Sequence, residues 1–328
     1  MKTAARRVIP KGGQIRELVE ECLKVHVIGI ERVEIGRDSV TFKALSTTGT
    51  VFIRTGGKRK NYDVEAAVLQ LVRKAGMKAP KPIALDVSLS KYPFQYLMLE
   101  EMPGFPLEGL AVGSWPPFLE QAGEELAKMY AIKLEGFGNP DAEMFRRDGK
   151  LVGKYQSWYK VLSSSHLKCA KSLEAQYKKT GFMDAKLSYK QRTQLCDVVR
   201  HLDVLRRKAE DARGNLDINP GRIIHKDIHS DHIFVKDGKV TGIIDFNNAS
   251  SGDPLYDIAT FSLMKGGNYY PHLIKKSDIK FEENLFHLYR LLHAVGKIHF
   301  RLEEGYLNKA PAVLNIALEE LKRKKGNL

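Results

Sequence analysis

Apolar and polar positions along the chain follow two regimes. Residues 14–25 repeat at helical spacing, with Ile15, Leu18, Val19 and Cys22 on one face. Alternation then takes over. The runs 27–35 and 39–45 flank Gly36-Arg37-Asp38, and 50–55 makes a third; Val40, Phe42 and Ala44 alternate with Thr41 and Lys43. From Tyr62 to Ala75 the spacing turns helical again, with a stripe of Val64, Ala67, Val68, Leu71, Val72 and Ala75 that ends at Gly76 and the Pro80/Pro82 pair. The runs 83–87 and 95–100 read as two more strands. Beyond Pro103-Gly104 the spacing is mostly helical: 117–134, a longer stretch to about Lys178, 189–213, and further helices from Asp257 onward. An island at 222–245 interrupts it, where short β-like runs (233–236 and 240–244) enclose a polar loop. The pattern predicts an α+β fold in which a five-stranded antiparallel lobe, residues 1–101, precedes a helical lobe, residues 102–328, with a small embedded hairpin.

Composition narrows the class. The chain has 328 residues, 43% hydrophobic and 28% charged, which places it among globular proteins and away from bulk disorder. Three cysteines without a C-x-x-C spacing argue against a disulfide framework or thiolate zinc site and for a reducing compartment. The basic first residues lead into Lys11-Gly12-Gly13 instead of an apolar stretch, and nothing approaches the roughly 18 apolar residues of a membrane span. The expectation is a cytoplasmic protein without membrane association. The net charge of +14 favours anionic partners. Part of it, however, sits at the two ends, around Arg6, Arg7 and Lys11 and at Lys322 to Lys325, where a solvated basic surface is the plainer reading. The pattern contains no statement of oligomeric state.

Candidate chemistry concentrates in the polar island, which reads His225-Lys226-Asp227-Ile228-His229-Ser230-Asp231-His232 and then Ile243-Ile244-Asp245-Phe246. Asp227 lies in a loop after an apolar run and Asp245 ends another. Carboxylates at strand ends project into a cleft, where one can orient a nucleophile and the other bind a hard cation. A metallohydrolase reading of His225, His229, Asp231 and His232 fits less well, because the first two histidines are too far apart in sequence and no H-E-x-x-H occurs.

The stretch 225–234 resembles the catalytic loop of the aminoglycoside phosphotransferase-like kinases, whose pattern is close to H-G-D-x-H-x-x-N. Ile243-Ile244-Asp245-Phe246 followed by Gly252-Asp253-Pro254-Leu255-Tyr256-Asp257 resembles the same family's metal-binding strand and G-D-P-x-x-D helix start. Tyr96 to Gly104 is similar to the family's hinge, and 126–138 to the segment after it. His232 stands where the family has an Asn metal ligand, and Arg54 where it has a strand lysine. Both substitutions resemble the macrolide phosphotransferase branch. Lys226 replaces the usual Gly, read as a backbone-tolerant position.

The resemblance implies a two-lobed, protein-kinase-like fold with nucleotide in the cleft. It further implies transfer of the γ-phosphoryl of ATP or GTP, with Mg²⁺, to a hydroxyl of a small molecule such as an antibiotic, sugar or other metabolite. Asp227 would be the catalytic base, and His232 and Asp245 would hold metal. Arg54 would reach the phosphates, steadied by Glu65. Gly36 and Ser39 would lie over the phosphates, and main-chain groups around Glu100 and Met102 would read the purine edge. His225 and His229 are read as loop-bracing hydrogen bonders, and Asp253 and Asp257 as cap and brace. A catalytically silent nucleotide-binding relative and a nucleic-acid 2′-hydroxyl kinase stay open as alternatives.

Overall fold

The structure, a computed structural model, describes residues 9–33, 40–56, 61–216, 220–309 and 312–323. Helix α1 (Gly12–Leu23) leads into β1 (Val27–Val33), β2 (Val40–Ser46) and β3 (Gly49–Thr55); α2 (Tyr62–Lys74), β4 (Pro82–Asp86) and β5 (Tyr96–Glu100) follow. The five strands form one antiparallel sheet in the order β1-β2-β3-β5-β4. This is the predicted lobe, with strand boundaries within two residues of the alternation where described. The α1 face is narrower than expected: Ile15, Leu18 and Val19 are buried, while Cys22 is exposed.

Alternation explains how this sheet carries two cores. On β5, Tyr96 and Met98 join Phe42, Ile53 and the α1 side chains in one cluster. Leu97 and Leu99 join the α2 residues Val68, Leu69 and Val72 in another, which continues through the whole C-terminal region. Each such buried aliphatic side chain contributes about 1.5–3 kcal/mol. The five-stranded lobe is therefore packed onto the rest of the chain and shares its main core.

The C-terminal part holds more sheet than the spacing predicted. After β6 (Phe105–Pro106) and α3 (Pro116–Tyr130) come β7 (Lys133–Leu134), β8 (Phe137–Pro140), α4 (Ala142–Asp148), β9 (Gly153–Tyr155) and α5 (Trp158–Leu162), which runs through a π-turn into α6 (Lys168–Thr180). The stretch before Lys178 is thus only partly helical. Next are α7 (Tyr189–Arg200), α8 (Leu202–Asp211), α9 (Arg213–Leu216) and β10 (Gly221–Ile224). The predicted hairpin is β11 (Ile233–Lys236) and β12 (Lys239–Ile243), and β13 (Ser250–Gly252) follows it. The chain closes with α10 (Leu255–Phe261), α11 (Tyr270–Ile274), α12 (Glu283–Glu303) and α13 (Ala312–Lys322). The hairpin is embedded in a three-stranded sheet with β6, and a separate five-stranded sheet runs β7-β10-β13-β8-β9. Strands of two to four residues leave too few alternations to register in a sequence. Gly104, at φ +97°, makes the turn into β6. A Cβ there would lie 2.1 Å from the Val235 carbonyl oxygen, so only glycine fits. Among the described residues no helix is long and apolar enough to cross a membrane.

Beneath the polar island, α12 and α10 meet through a buried polar contact. His293 Nε2 lies 2.6 Å from Thr260 Oγ1, and its ring centroid 4.1 Å from that of Tyr256. Burial pushes its imidazole well below the ordinary value of 6.5. As pH falls below about 6.5, the unfolded chain takes up a proton there that the folded chain refuses, so this group's share of stability is lost at up to about 1.4 kcal/mol per pH unit. His293→Gln is expected to make stability against pH between 6.5 and 4.5 shallower by about that slope, measured from urea midpoints; an unchanged slope would show that the buried imidazole is not the acid-sensitive group.

Candidate active site

The loop between β10 and β11 carries the catalytic candidates, and one buried carboxylate shapes it. Asp257, in the first turn of α10, accepts the backbone N–H groups of His225 at 2.7 Å and Lys226 at 2.6 Å, and the Tyr130 hydroxyl at 3.1 Å. Burial pushes its carboxyl up to about 7 even against those three donors. Asp253 accepts the Leu255 N–H at 3.0 Å and the Tyr289 hydroxyl at 2.8 Å. Both aspartates therefore cap and brace, as expected of them. Lys226 sits at φ +69°, in the left-handed region where a glycine would be unstrained and a lysine costs about 1–2 kcal/mol. The position is less tolerant than its reading from the sequence, and the Lys226 ammonium donates to Asn139 Oδ1 at 2.9 Å.

His225 is fully buried and its Nε2–H donates to the Ile244 carbonyl at 2.8 Å, tying the loop to the end of β12; burial pushes the imidazole down to about 4. His232 makes the matching tie. Its Nδ1–H donates to the Asp227 carbonyl at 2.8 Å, which leaves Nε2 3.6 Å from Asp245 Oδ2. Burial also pushes His229 down to about 4. The Asp227 carboxylate lies within reach of Asn248 Nδ2 at 3.5 Å.

Asp245 follows β12 at φ +68°, a conformation Asp tolerates better than most residues. The turn aims its carboxylate at the N-terminal sheet, where Arg54 Nη1 on β3 donates to Oδ1 at 2.9 Å. The same nitrogen donates to Glu65 on α2, so one guanidinium joins the two lobes. Burial opposes the charge on Arg54, but Glu65 and Asp245 outweigh it and hold the guanidinium firmly protonated. For Glu65 burial dominates and raises the carboxyl. For Asp245 burial also works upward, yet Arg54 and then His232 hold its carboxyl below the ordinary value. Beside the ion triad a cavity of about 150 Å³ opens between α2 and the 246–249 segment. The buried Asn247 Oδ1 faces it without a hydrogen-bond partner.

The structure thus brings Asp227, His232, Asp245, Arg54 and Glu65 together across the lobe boundary. Glu100 ends β5 with its N–H donating to the Lys81 carbonyl at 3.0 Å, and its side chain is exposed. Met102 lies against β12, where a Cβ on Gly242 would come 2.1 Å from its methyl carbon. Gly36 and Ser39 lie outside the described residues. Three contributors escaped the sequence reading. Asn248 is legible in hindsight from its place three residues past Asp245. Asp63 and Arg146 clamp α2 to α4 through bonds of 2.6 and 3.1 Å. Lys297, on α12, is half-buried; burial pushes its ammonium below the ordinary value, and attraction to Asp227 works the other way. Neither pair nor lysine has any local pattern to announce it.

Comparison with known proteins bears on the fold and the lineage. The pattern of the phosphotransferase enzyme family matches residues 29–289. No curated protein sequence matches the chain. Among solved structures, a thermostable mutant of aminoglycoside phosphotransferase APH(4)-Ia, in a ternary complex with ADP and hygromycin B, superposes with a TM-score of 0.69 at 15% identity, covering 96% of this chain and 100% of that one. Macrolide 2′-phosphotransferase MphH from Brachybacterium faecium gives 0.56 at 16% identity, with 96% and 99% covered. A fructosamine-3-kinase from Thermobifida fusca, itself described as putative, gives 0.59 at 16% identity, with 94% and 99% covered. These likenesses establish the kinase-like fold, and the match across most of the length establishes the lineage: this chain belongs to the phosphotransferase enzyme family.

Proposed function

We propose that the protein transfers the γ-phosphoryl group of ATP or GTP to a hydroxyl of a small molecule, with residues 1–101 as the nucleotide-binding lobe and 102–328 carrying the catalytic loop and the acceptor site. The observation that carries this reading is the bridge from Arg54 to both Glu65 and Asp245. It places a permanent cation and a carboxylate at the lobe boundary, where a triphosphate must be gripped and its charge neutralised. Family neighbours solved with ADP and AMP-PNP support a nucleotide as donor. Backbone contacts around Glu100 and Met102 would read the purine edge, and such readout does not by itself select ATP over GTP.

The residues fit a divalent cation. His232 Nε2 and an Asp245 carboxylate oxygen lie 3.6 Å apart, a nitrogen and an oxygen close enough to hold one cation between them when the imidazole is deprotonated. Magnesium held there would neutralise the phosphates and keep the γ-phosphoryl in line. Asp227, kept in place by the bracing of Asp257 and the His232 tie, accepts the proton of the acceptor hydroxyl as the oxygen bonds to the γ-phosphorus and the bond to the β–γ bridging oxygen breaks, releasing the nucleoside diphosphate. Arg54 holds the phosphate oxygens, and Glu65 keeps its guanidinium from following them. Lys297 approaches Asp227, which disfavours a polycationic acceptor and favours a neutral or anionic one, in keeping with the net charge.

The test is binding of ATP and GTP with Mg²⁺ by thermal shift, followed by γ-phosphate transfer to a panel of macrolides, aminoglycosides, sugars, hydroxy acids and bulk tRNA. Transfer to one small-molecule class is expected. Transfer to tRNA alone would favour the nucleic-acid alternative, nucleotide binding without transfer to anything would favour a silent relative, and failure to bind either nucleotide would overturn the reading.

A further inference from the structure

The catalytic loop holds a donor set that the proposed reaction uses only in part: Asp227 and His232 serve it, and His229 does not. Asp227, His229 and His232 each present one ligand atom, and the three atoms lie within 4.8 Å of one another. The His232 imidazole is oriented by its Nδ1, which donates to the Asp227 carbonyl at 2.8 Å and leaves its Nε2 to bind; His229 Nδ1 lies 3.7 Å from Asp231 Oδ2, beyond hydrogen-bond range. An outer oxygen on one ring nitrogen, fixing the tautomer while the other nitrogen coordinates, is how histidine ligands are held in metal sites. The two rings are in face contact, tilted by 39° with centroids 3.7 Å apart, so His229 must swing away from His232 for both nitrogens to converge on one ion.

We infer that Asp227, His229 and His232 form a binding site for a borderline transition-metal ion, of which Zn²⁺ is the representative, and that the ion inhibits phosphoryl transfer. Two nitrogens and one carboxylate oxygen suit zinc, which takes three protein ligands and a water in open sites, and suit magnesium poorly. Ligand atoms on a tetrahedral zinc lie roughly 3.4 Å apart, so the set closes from its 4.8 Å spread once the His229 ring turns out of contact with His232. The inhibition rests on the function proposed above. An Asp227 oxygen bonded to the ion is no longer free to accept the acceptor proton, and a His232 nitrogen bonded to it is no longer free for the cation shared with Asp245. His229 is the residue that distinguishes this site from the Mg²⁺ position.

The test begins with the full-length protein free of nucleotide. Titration calorimetry with Zn²⁺ is expected to show one equivalent bound at micromolar affinity or tighter, and Co²⁺ is expected to develop the visible bands of a low-coordinate nitrogen–oxygen site. His229→Gln, checked for an unchanged melting temperature, is expected to weaken zinc binding on the order of 100-fold and to abolish the Co²⁺ bands. With Mg²⁺-nucleotide in excess, Zn²⁺ is expected to inhibit transfer by the wild type, while the variant, referred to its own zinc-free rate, needs about 100-fold more. Equal zinc affinity in wild type and variant, or no binding below millimolar concentrations, would overturn the site. Binding without inhibition would overturn its effect on the reaction. Because the calorimetry and spectra need no turnover, failure of the kinase reading leaves the metal site to stand or fall on its own titration.

Discussion

Asp227→Asn is expected to lower turnover by about two to four orders of magnitude, the usual contribution of a positioned general base. The substitution is nearly isosteric, and the ties that shape the loop do not involve the lost charge: Asp257 holds the backbone N–H groups of residues 225 and 226, and His232 bonds the main-chain carbonyl of residue 227. Fold and nucleotide affinity should therefore persist while proton acceptance is lost. The fall should appear in kcat, with KM for the nucleotide nearly unchanged, because the carboxylate acts as the acceptor oxygen attacks. Near wild-type turnover in a variant of unchanged melting temperature would remove Asp227 from the role of base.

Asp245→Asn should abolish metal-dependent turnover altogether. Asparagine is the better probe than alanine here. Residue 245 stands at φ +68°, which Asn tolerates and Ala does not, so the result reads the charge and not backbone strain. Loss of the carboxylate removes the hard oxygen from the His232–Asp245 pair and leaves Arg54 with Glu65 as its named anionic partner. Calorimetry should find that Mg²⁺ no longer tightens nucleotide binding, whereas metal-free binding is kept or improved as Arg54 becomes more available to phosphate. Undiminished activity in excess magnesium would mean that the cation is held elsewhere.

Much of the machinery was readable because it is local. Alternation over five to seven residues announces each strand of the N-terminal sheet, and a single hairpin with its loop carries Asp227, His232 and Asp245 within about twenty positions. Short-range spacing of this kind survives in a sequence because the elements that create it are themselves short-range. The limits of such reading have equally physical causes. Strands β7 to β10 and β13 are two to four residues long, so their pairing across the chain is invisible to periodicity. Asp63 and Glu65 stand off the apolar stripe of α2, and although the family resemblance pairs Glu65 with Arg54, helical spacing does not announce that both carboxylates are buried, where Arg146 and Arg54 reach them from other elements. The sequence alone determined that the sheet precedes the helices, where the proposed catalytic loop lies, and which residue types it offers for phosphoryl transfer. Only the tertiary structure decided that Arg54 spans from Glu65 to Asp245, that Lys297 approaches Asp227, and that His229 stands beside His232. Those juxtapositions depend on how distant elements pack into a shared core, and burial then sets which charges are held, raised or suppressed.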